Sequence, residues 1–245
     1  MCKEKEKVTN MNSENLSKRL HTVASYIPEG SILADIGSDH AYLPCYAVHK
    51  GMVTSAIAGE VVEGPYTSAL NQVKEEGLEQ QISVRKGDGL EVLSPGEATC
   101  ITIAGMGGTL ISSILERGKD KLVGTKRLIL QPNIQAVNIR KWLIDNEWEL
   151  IDETILEEDG KIYEILVAEK GNGSAPYTAE LEKELLLGPF LIKECSDVFR
   201  KKWTAESKHW KNIIEQLQAS GKTDSSQEKE KQLRKYIAYV EEVLS

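Results

Sequence analysis

The chain is poor in the residues that build metal sites and disulfides. Its 245 residues include four cysteines (Cys2, Cys45, Cys100, Cys195) and four histidines (His21, His40, His49, His209). The cysteines lie dozens of residues apart, which offers neither a disulfide framework nor a CxxC zinc pair. No two histidines stand at ligand spacing, so no metal is expected. Long apolar runs are also missing. Stretches such as 56–58 are a handful of residues, against the roughly 20 that cross a bilayer, so no membrane partner is expected. The leading MCKEKEK alternates charge without an apolar centre, unlike a signal peptide. These absences point to a reduced, metal-free protein of the cytoplasm.

Basic charge is in short supply overall. The net charge is −8, which disfavours a nucleic-acid partner because phosphate binding rewards Lys and Arg. The deficit is uneven: residues 1–170 carry 18 basic and 26 acidic side chains, and 171–245 carry 12 of each. A local basic face, not the total, decides contact with RNA.

What is present alternates strand and helix. Residues 1–12 are polar and aperiodic and read as a disordered lead. Leu16, Leu20, Val23, Ala24 and Ile27 recur at helical spacing, with Ser13 as the expected N-cap. Short apolar runs follow at about 31–36, 53–59, 82–85, 100–104 and 127–131, with helical patterns near 41–50, 63–76, 109–118 and 134–146 between them. Crossovers of that length make βαβ units and a parallel sheet covered on both faces. Two more strands, about 148–157 and 161–169, flank a Gly-containing turn and should finish the sheet as a hairpin. The expected fold is a doubly wound α/β domain over 1–170, with its ligand at the carboxyl ends of the strands. Residues 171–176 (GNGSAP) read as a linker. Over 177–245 the pattern is helical throughout, an antiparallel hairpin of coiled-coil type whose first helix Gly188-Pro189 should break.

The strand ends carry the chemistry. The first leads into Asp35-Ile36-Gly37-Ser38-Asp39-His40. A dinucleotide enzyme needs G-x-G-x-x-G so that pyrophosphate can approach bare backbone. Here only Gly37 is present, and Asp39 would repel phosphate. Carboxylates suit a cationic cofactor instead, and S-adenosyl-L-methionine carries a sulfonium and an ammonium. Glu60, ending the second strand, can accept both ribose hydroxyls; alone it also reads as a solvated helix-start glutamate. Asp88 and Gly89, after the third strand, can take the adenine amino group and let the ring approach, or simply form a tight turn. Ala104-Gly105-Met106 after the fourth makes a glycine-rich bend where substrate meets the methyl group. It lacks the Asp/Asn-Pro-Pro-aromatic element usual in enzymes that methylate exocyclic nitrogens. Gln131-Pro132-Asn133 after the fifth offers amides able to read a base edge, with Asn133 as a helix N-cap the competing role.

DIGSDHAYLP at 35–44, AGE at 58–60, GDGL at 87–90, AGMGG at 104–108 and LQPN at 130–133 together resemble the bacterial tRNA (adenine-22-N1)-methyltransferases, the TrmK family. The resemblance is close over about 13–170 and architectural in the tail. It implies a class I (Rossmann-like) methyltransferase domain, a coiled-coil-like C-terminal domain, S-adenosyl-L-methionine as donor and N1 of adenine 22 in tRNA as acceptor. Under it, Asp35, Gly37, Ser38, Glu60, Asp88, Gly89, Ala104, Gly105 and Met106 bind the cofactor. Asp39 supplies negative potential near the reacting base, and His40 and Tyr42 position the adenine; packing and helix-start roles compete for the last two. Gln131, Pro132 and Asn133 meet the substrate. In the tail, Arg200, Lys201, Lys202, Lys208 and Lys211 with the single acid Glu206 leave a local balance of +4. Of these, Arg200, Lys201, Lys208 and Lys211 are expected to hold tRNA phosphates, and a solvated helix flank is the bland alternative. A chain ending near Gly171 should then still bind the cofactor but no longer methylate tRNA. Two other classes remain: a small-molecule or protein methyltransferase whose tail dimerises, and a binding module without turnover. A monomer or weak homodimer is expected.

Overall fold

The computed structural model describes residues 12–219 and 223–245. All but one residue of the expected disordered lead lie outside them. Seven strands form one sheet: β1 (Ser31–Ile36), β2 (Val53–Glu60), β3 (Ile82–Lys86), β4 (Cys100–Gly107), β5 (Arg127–Ile134), β6 (Trp148–Glu158) and β7 (Lys161–Lys170). Their order is β3-β2-β1-β4-β5-β7-β6. The first five are parallel, and β7 pairs antiparallel with both β5 and β6. The hairpin is therefore folded back, with its second strand inside and its first at the edge.

Period-two alternation explains why both faces are covered. Ile101, Ile103, Leu128, Leu130 and Leu166 pack on one side. Their neighbours Cys100, Ile129, Ile165 and Val167 pack on the other. Helices α1 (Lys18–Ser25), α2 (Tyr42–His49) and α3 (Glu63–Glu75) supply Val23, Ala47 and Val73 to that second side. Helices α4 (Gly108–Arg117) and α5 (Ala136–Asp145) supply Ile111, Leu115, Ile139 and Leu143 to the first. The first helix starts later than its apolar spacing suggests. Ser17, not Ser13, caps it, accepting a hydrogen bond from the Leu20 N–H at 3.2 Å, while Ser13 is buried.

Past the sheet come α6 (Leu181–Leu187), α7 (Pro189–Glu194), α8 (Asp197–Ala219) and α9 (Asp224–Leu244), the last two forming a helical hairpin. The break falls at Gly188-Pro189, with Pro189 opening α7. The tail docks on the edge hairpin: Ile155 and Ile162 of β6 and β7 pack with Leu187, Leu191, Phe199, Trp203 and Val240. A buried ion network lies beneath. Arg140 of α5, fully buried, reaches Glu153 at 2.6 Å and Glu164 at 2.7 Å, and donates to the Leu185 carbonyl at 3.1 Å. Lys202 of α8 joins Glu164. Gly188 permits this approach. Its φ is +93°, and a Cβ there would stand 2.7 Å from both the Arg140 guanidinium and the Glu153 carboxylate.

Candidate functional site: an acidic cavity at the strand ends

At the carboxyl ends of β1, β2 and β4, a cavity of about 470 Å³ is walled by Asp35, Gly37, Ser38, Asp39, Tyr42, Glu60, Ala104, Gly105 and Met106, with Arg19 and Leu20 from α1. The loop after β1 turns sharply: Gly37, Asp39 and Ala41 have φ of +72°, +49° and +55°. Two carboxylates hold that turn. Asp35, 4% exposed, accepts from Ser38 Oγ and Thr102 Oγ1, each at 2.6 Å. Glu60, 6% exposed, accepts from the Asp39 N–H.

Burial raises the carboxyl pKa of both groups. The hydrogen bonds from Ser38 and Thr102 oppose the rise at Asp35. At Glu60 the Asp39 N–H opposes it, while the negative charges of Asp39 and Asp35 add to it. The cavity thus concentrates negative charge at a cost that a cationic ligand relieves. Arg19 is the single cation among the lining residues. Its Nη1 donates to Gln131 Oε1 at 2.6 Å, and it lies 3.9 Å from where a Gly105 Cβ would sit. Sequence reasoning missed Arg19 because only the packing of α1 across the sheet brings it there.

Glycines leave room for a ligand at close range. Gly37 faces the Met106 methyl, which a Cβ would meet at 2.2 Å. Gly105 is an extra residue in β4: Ala104 pairs with Gln131 and Met106 with Pro132, so Gly105 bulges between them at φ +79°. Its N–H donates to Gln131 Oε1 at 3.0 Å, and its carbonyl accepts from Asn133 Nδ2 at 2.7 Å.

Several expected site residues stand elsewhere. Asp88 is outside the cavity wall and pairs with Arg117 through two contacts of 2.8 and 3.3 Å. Gly89 faces helix α4, where a Cβ would come 2.9 Å from Ile114, so its absent side chain serves packing there. Gln131 and Pro132 are buried. The Gln131 amide braces the β4 bulge, its Oε1 accepting from the Gly105 N–H. Asn133 is exposed and bonds that bulge, while the cap position of α5 belongs to Gln135. Asp39 and His40 form a rim: the Asp39 carboxylate, 69% exposed, stands 3.7 Å from His40 Nε2. His40 stacks on Tyr42 at 5.1 Å, and of that pair only Tyr42 lines the cavity. In the tail, Lys201 is paired with Glu157 at 2.6 Å and Lys211 with Glu241 at 2.8 Å. Arg200 donates to the Leu244 carbonyl at 3.1 Å. Lys208 is exposed and has no carboxylate partner among the described residues.

Comparison with known proteins identifies relatives over nearly the whole chain. The family model described as tRNA (adenine(22)-N(1))-methyltransferase matches residues 33–242. The chain is 57% identical over 235 residues to the tRNA (adenine(22)-N(1))-methyltransferase of Bacillus subtilis, covering 96% of this chain and 99% of that one. A crystal structure of the B. subtilis m1A22 tRNA methyltransferase superposes with a TM-score of 0.91 at 56% identity, covering 95% and 100% of the two chains. A Streptococcus pneumoniae structure in complex with S-adenosyl-L-methionine matches at 45% identity and TM-score 0.81, covering 94% and 99%.

Proposed function

The chain belongs to the tRNA (adenine(22)-N(1))-methyltransferase family, and from that premise we propose how its cavity performs the reaction. The protein is an S-adenosyl-L-methionine-dependent methyltransferase that acts on N1 of adenine 22 in tRNA. What carries the assignment of the site is the acidic cavity with one cation, Arg19, in its wall. That donor set fits a cofactor bearing an ammonium, a sulfonium, a ribose and one carboxylate. Asp35, Asp39 and Glu60 complement the cationic and hydroxyl groups, and Arg19 complements the carboxylate. The left-handed glycines of the cradle exclude side chains from the space the cofactor needs.

When bound, S-adenosyl-L-methionine supplies a methyl group on a cationic sulfur, open to direct displacement. Adenine N1 has an in-plane lone pair, so no residue must remove a proton before attack. The protein's work is alignment, water exclusion and charge. Glu60 accepts ribose hydroxyls through the lone pairs that the Asp39 N–H leaves free. Gln131 fixes both Arg19 and the Gly105 bulge, so one buried amide sets two walls. The methylated base is cationic, and Asp39, with its carboxylate at the rim, favours the charge that develops on it. His40 and Tyr42, stacked beside it, form a platform for the adenine, which must leave its own stack to arrive. Residues 1–170 carry catalysis, 171–176 link, and the helices of 177–245 hold tRNA. Direct displacement needs no Lewis acid, so methylation should withstand chelators. Its substrate is tRNA, which argues for a cytoplasmic enzyme working as a monomer or weak homodimer.

Incubation with labelled S-adenosyl-L-methionine and a bacterial tRNA pool, followed by nucleoside mapping, tests the reading. The expected product is 1-methyladenosine at position 22, absent when that adenine is replaced by guanine. Label in another nucleoside, or in protein alone, would overturn it.

A further inference from the structure

A second cleft, of about 540 Å³, lies between the β5–α5 turn and helix α8. Its walls include Ile134, Ile162, Trp203, Ala205 and Trp210, and its volume lies in the range of sites for small organic groups. It neighbours the cavity described above, and the two share no wall residue. Asn133, which bonds the Gly105 carbonyl, also lines this cleft. Ile134 Cγ1 lies 3.9 Å from where a Gly107 Cβ would sit.

Two features of the cleft lack an explanation in the fold. Ile134 is 65% exposed at the end of a central strand, directly on the reactive edge of the sheet. Trp203 is 4% exposed, and its indole N–H is buried without an acceptor among the described residues. That donor is itself enclosed by the protein, so what the cleft offers an occupant is its aromatic and aliphatic walls, which suit a flat group able to stack. Every nucleobase is such a group, and stacking on aromatic side chains tolerates any base. The cleft walls carry both charges, Glu164 and Glu206 against Lys202, and Lys202 is already paired with Glu164. A phosphate is therefore the wrong occupant, and an uncharged base the right one.

We propose that this cleft binds a nucleobase of the tRNA substrate other than the target adenine, displaced from its stack and lodged between Ile134 and the Trp203–Trp210 wall. The proposal rests on the tRNA reading above. Holding a second base there would anchor the unstacked strand beside the reacting one and connect the tail helices directly to substrate positioning.

The full-length enzyme tests it by steady-state and single-turnover methylation of tRNA, with S-adenosyl-L-methionine binding measured in parallel. Ala205→Trp fills the cleft from an exposed helix position, and Ile134→Ser alters an exposed wall without entering the core. Each should raise the KM for tRNA about tenfold, leaving the single-turnover rate at saturating tRNA and the cofactor affinity unchanged. If both Ala205→Trp and Ile134→Ser keep the wild-type KM, the cleft holds no base and the proposal is overturned. The same result follows if either variant loses cofactor binding in step with tRNA. Wild-type enzyme that fails to methylate tRNA at all would instead sink the functional reading itself.

Discussion

Glu60 is placed to serve both the fold and the cofactor site proposed above. Its carboxylate holds the Asp39 N–H of the β1–α2 loop and faces the cavity. Glu60→Ala should therefore weaken S-adenosyl-L-methionine binding by about tenfold to a hundredfold, from the roughly 1.5–3 kcal/mol of a charged hydrogen bond, as read by calorimetry. The same residue predicts a pH dependence. Burial lifts its carboxyl above the ordinary 4.5, and in the proposed site the ionised form is the one that would bind. Cofactor affinity should fall as pH drops through that raised value, sooner than for an exposed glutamate, and Glu60→Gln should flatten the profile. Asp39 answers a different question, because its side chain lies at the rim. Asp39→Asn should slow single-turnover methyl transfer far more than it weakens the cofactor; equal losses would make it a cofactor ligand. That Asp35 and Glu60 would share the wall of one strand-end cavity was legible in the sequence, because an acid at a strand end has few places to point. Asp88 satisfies the same rule yet pairs with Arg117, 29 residues away along the chain. Arg19 and the bracing role of Gln131 were illegible for a related reason: each depends on contacts more than 25 residues distant in sequence.

At the scale of elements, alternation and crossover length were enough to find every strand, since a one-residue shift would turn the apolar set to the wrong face. Helix starts were less legible. Ser13 and Ser17 are equally good caps in isolation, and the choice falls to Ser17, whose hydroxyl takes the Leu20 N–H. The seating of the tail was not visible at all, because Arg140, Glu153, Glu164 and Lys202 sit on four different elements. Burial alone would raise the Glu164 carboxyl, but Lys202 and Arg140 overcome it and hold the group below its ordinary value. Removing one member of such a network leaves an uncompensated buried charge. Glu164→Ala should cost about 3–5 kcal/mol, seen as a lower urea midpoint. A similar loss from Lys201→Ala, whose exposed pair with Glu157 should contribute less than about 1 kcal/mol, would show that the network has no special standing.

For the whole molecule, the same network changes how the tail must be tested. A chain cut near Gly171 would uncover Ile155 and Ile162 and take the Leu185 carbonyl from Arg140, so loss of tRNA binding in that truncation would not separate contact from folding. Point changes on the surface do separate them. Net charge alone cannot rank the tail's cations, but their partners can. Phosphate must displace Glu157 from Lys201 and Glu241 from Lys211, whereas Lys208 is free of any such rival among the described residues. If the tail grips the tRNA backbone, Lys208→Gln should weaken tRNA binding and lower the slope of log affinity against log salt by about one. Lys201→Gln and Lys211→Gln should each change that slope by less, since part of their charge is already spent on a carboxylate. Phosphate contacts position the RNA without reading its sequence, so the loss in Lys208→Gln should be uniform across tRNA species. Equal slopes in wild type and Lys208→Gln would place the backbone contacts elsewhere and leave the +4 segment as a solvated flank of the helical hairpin.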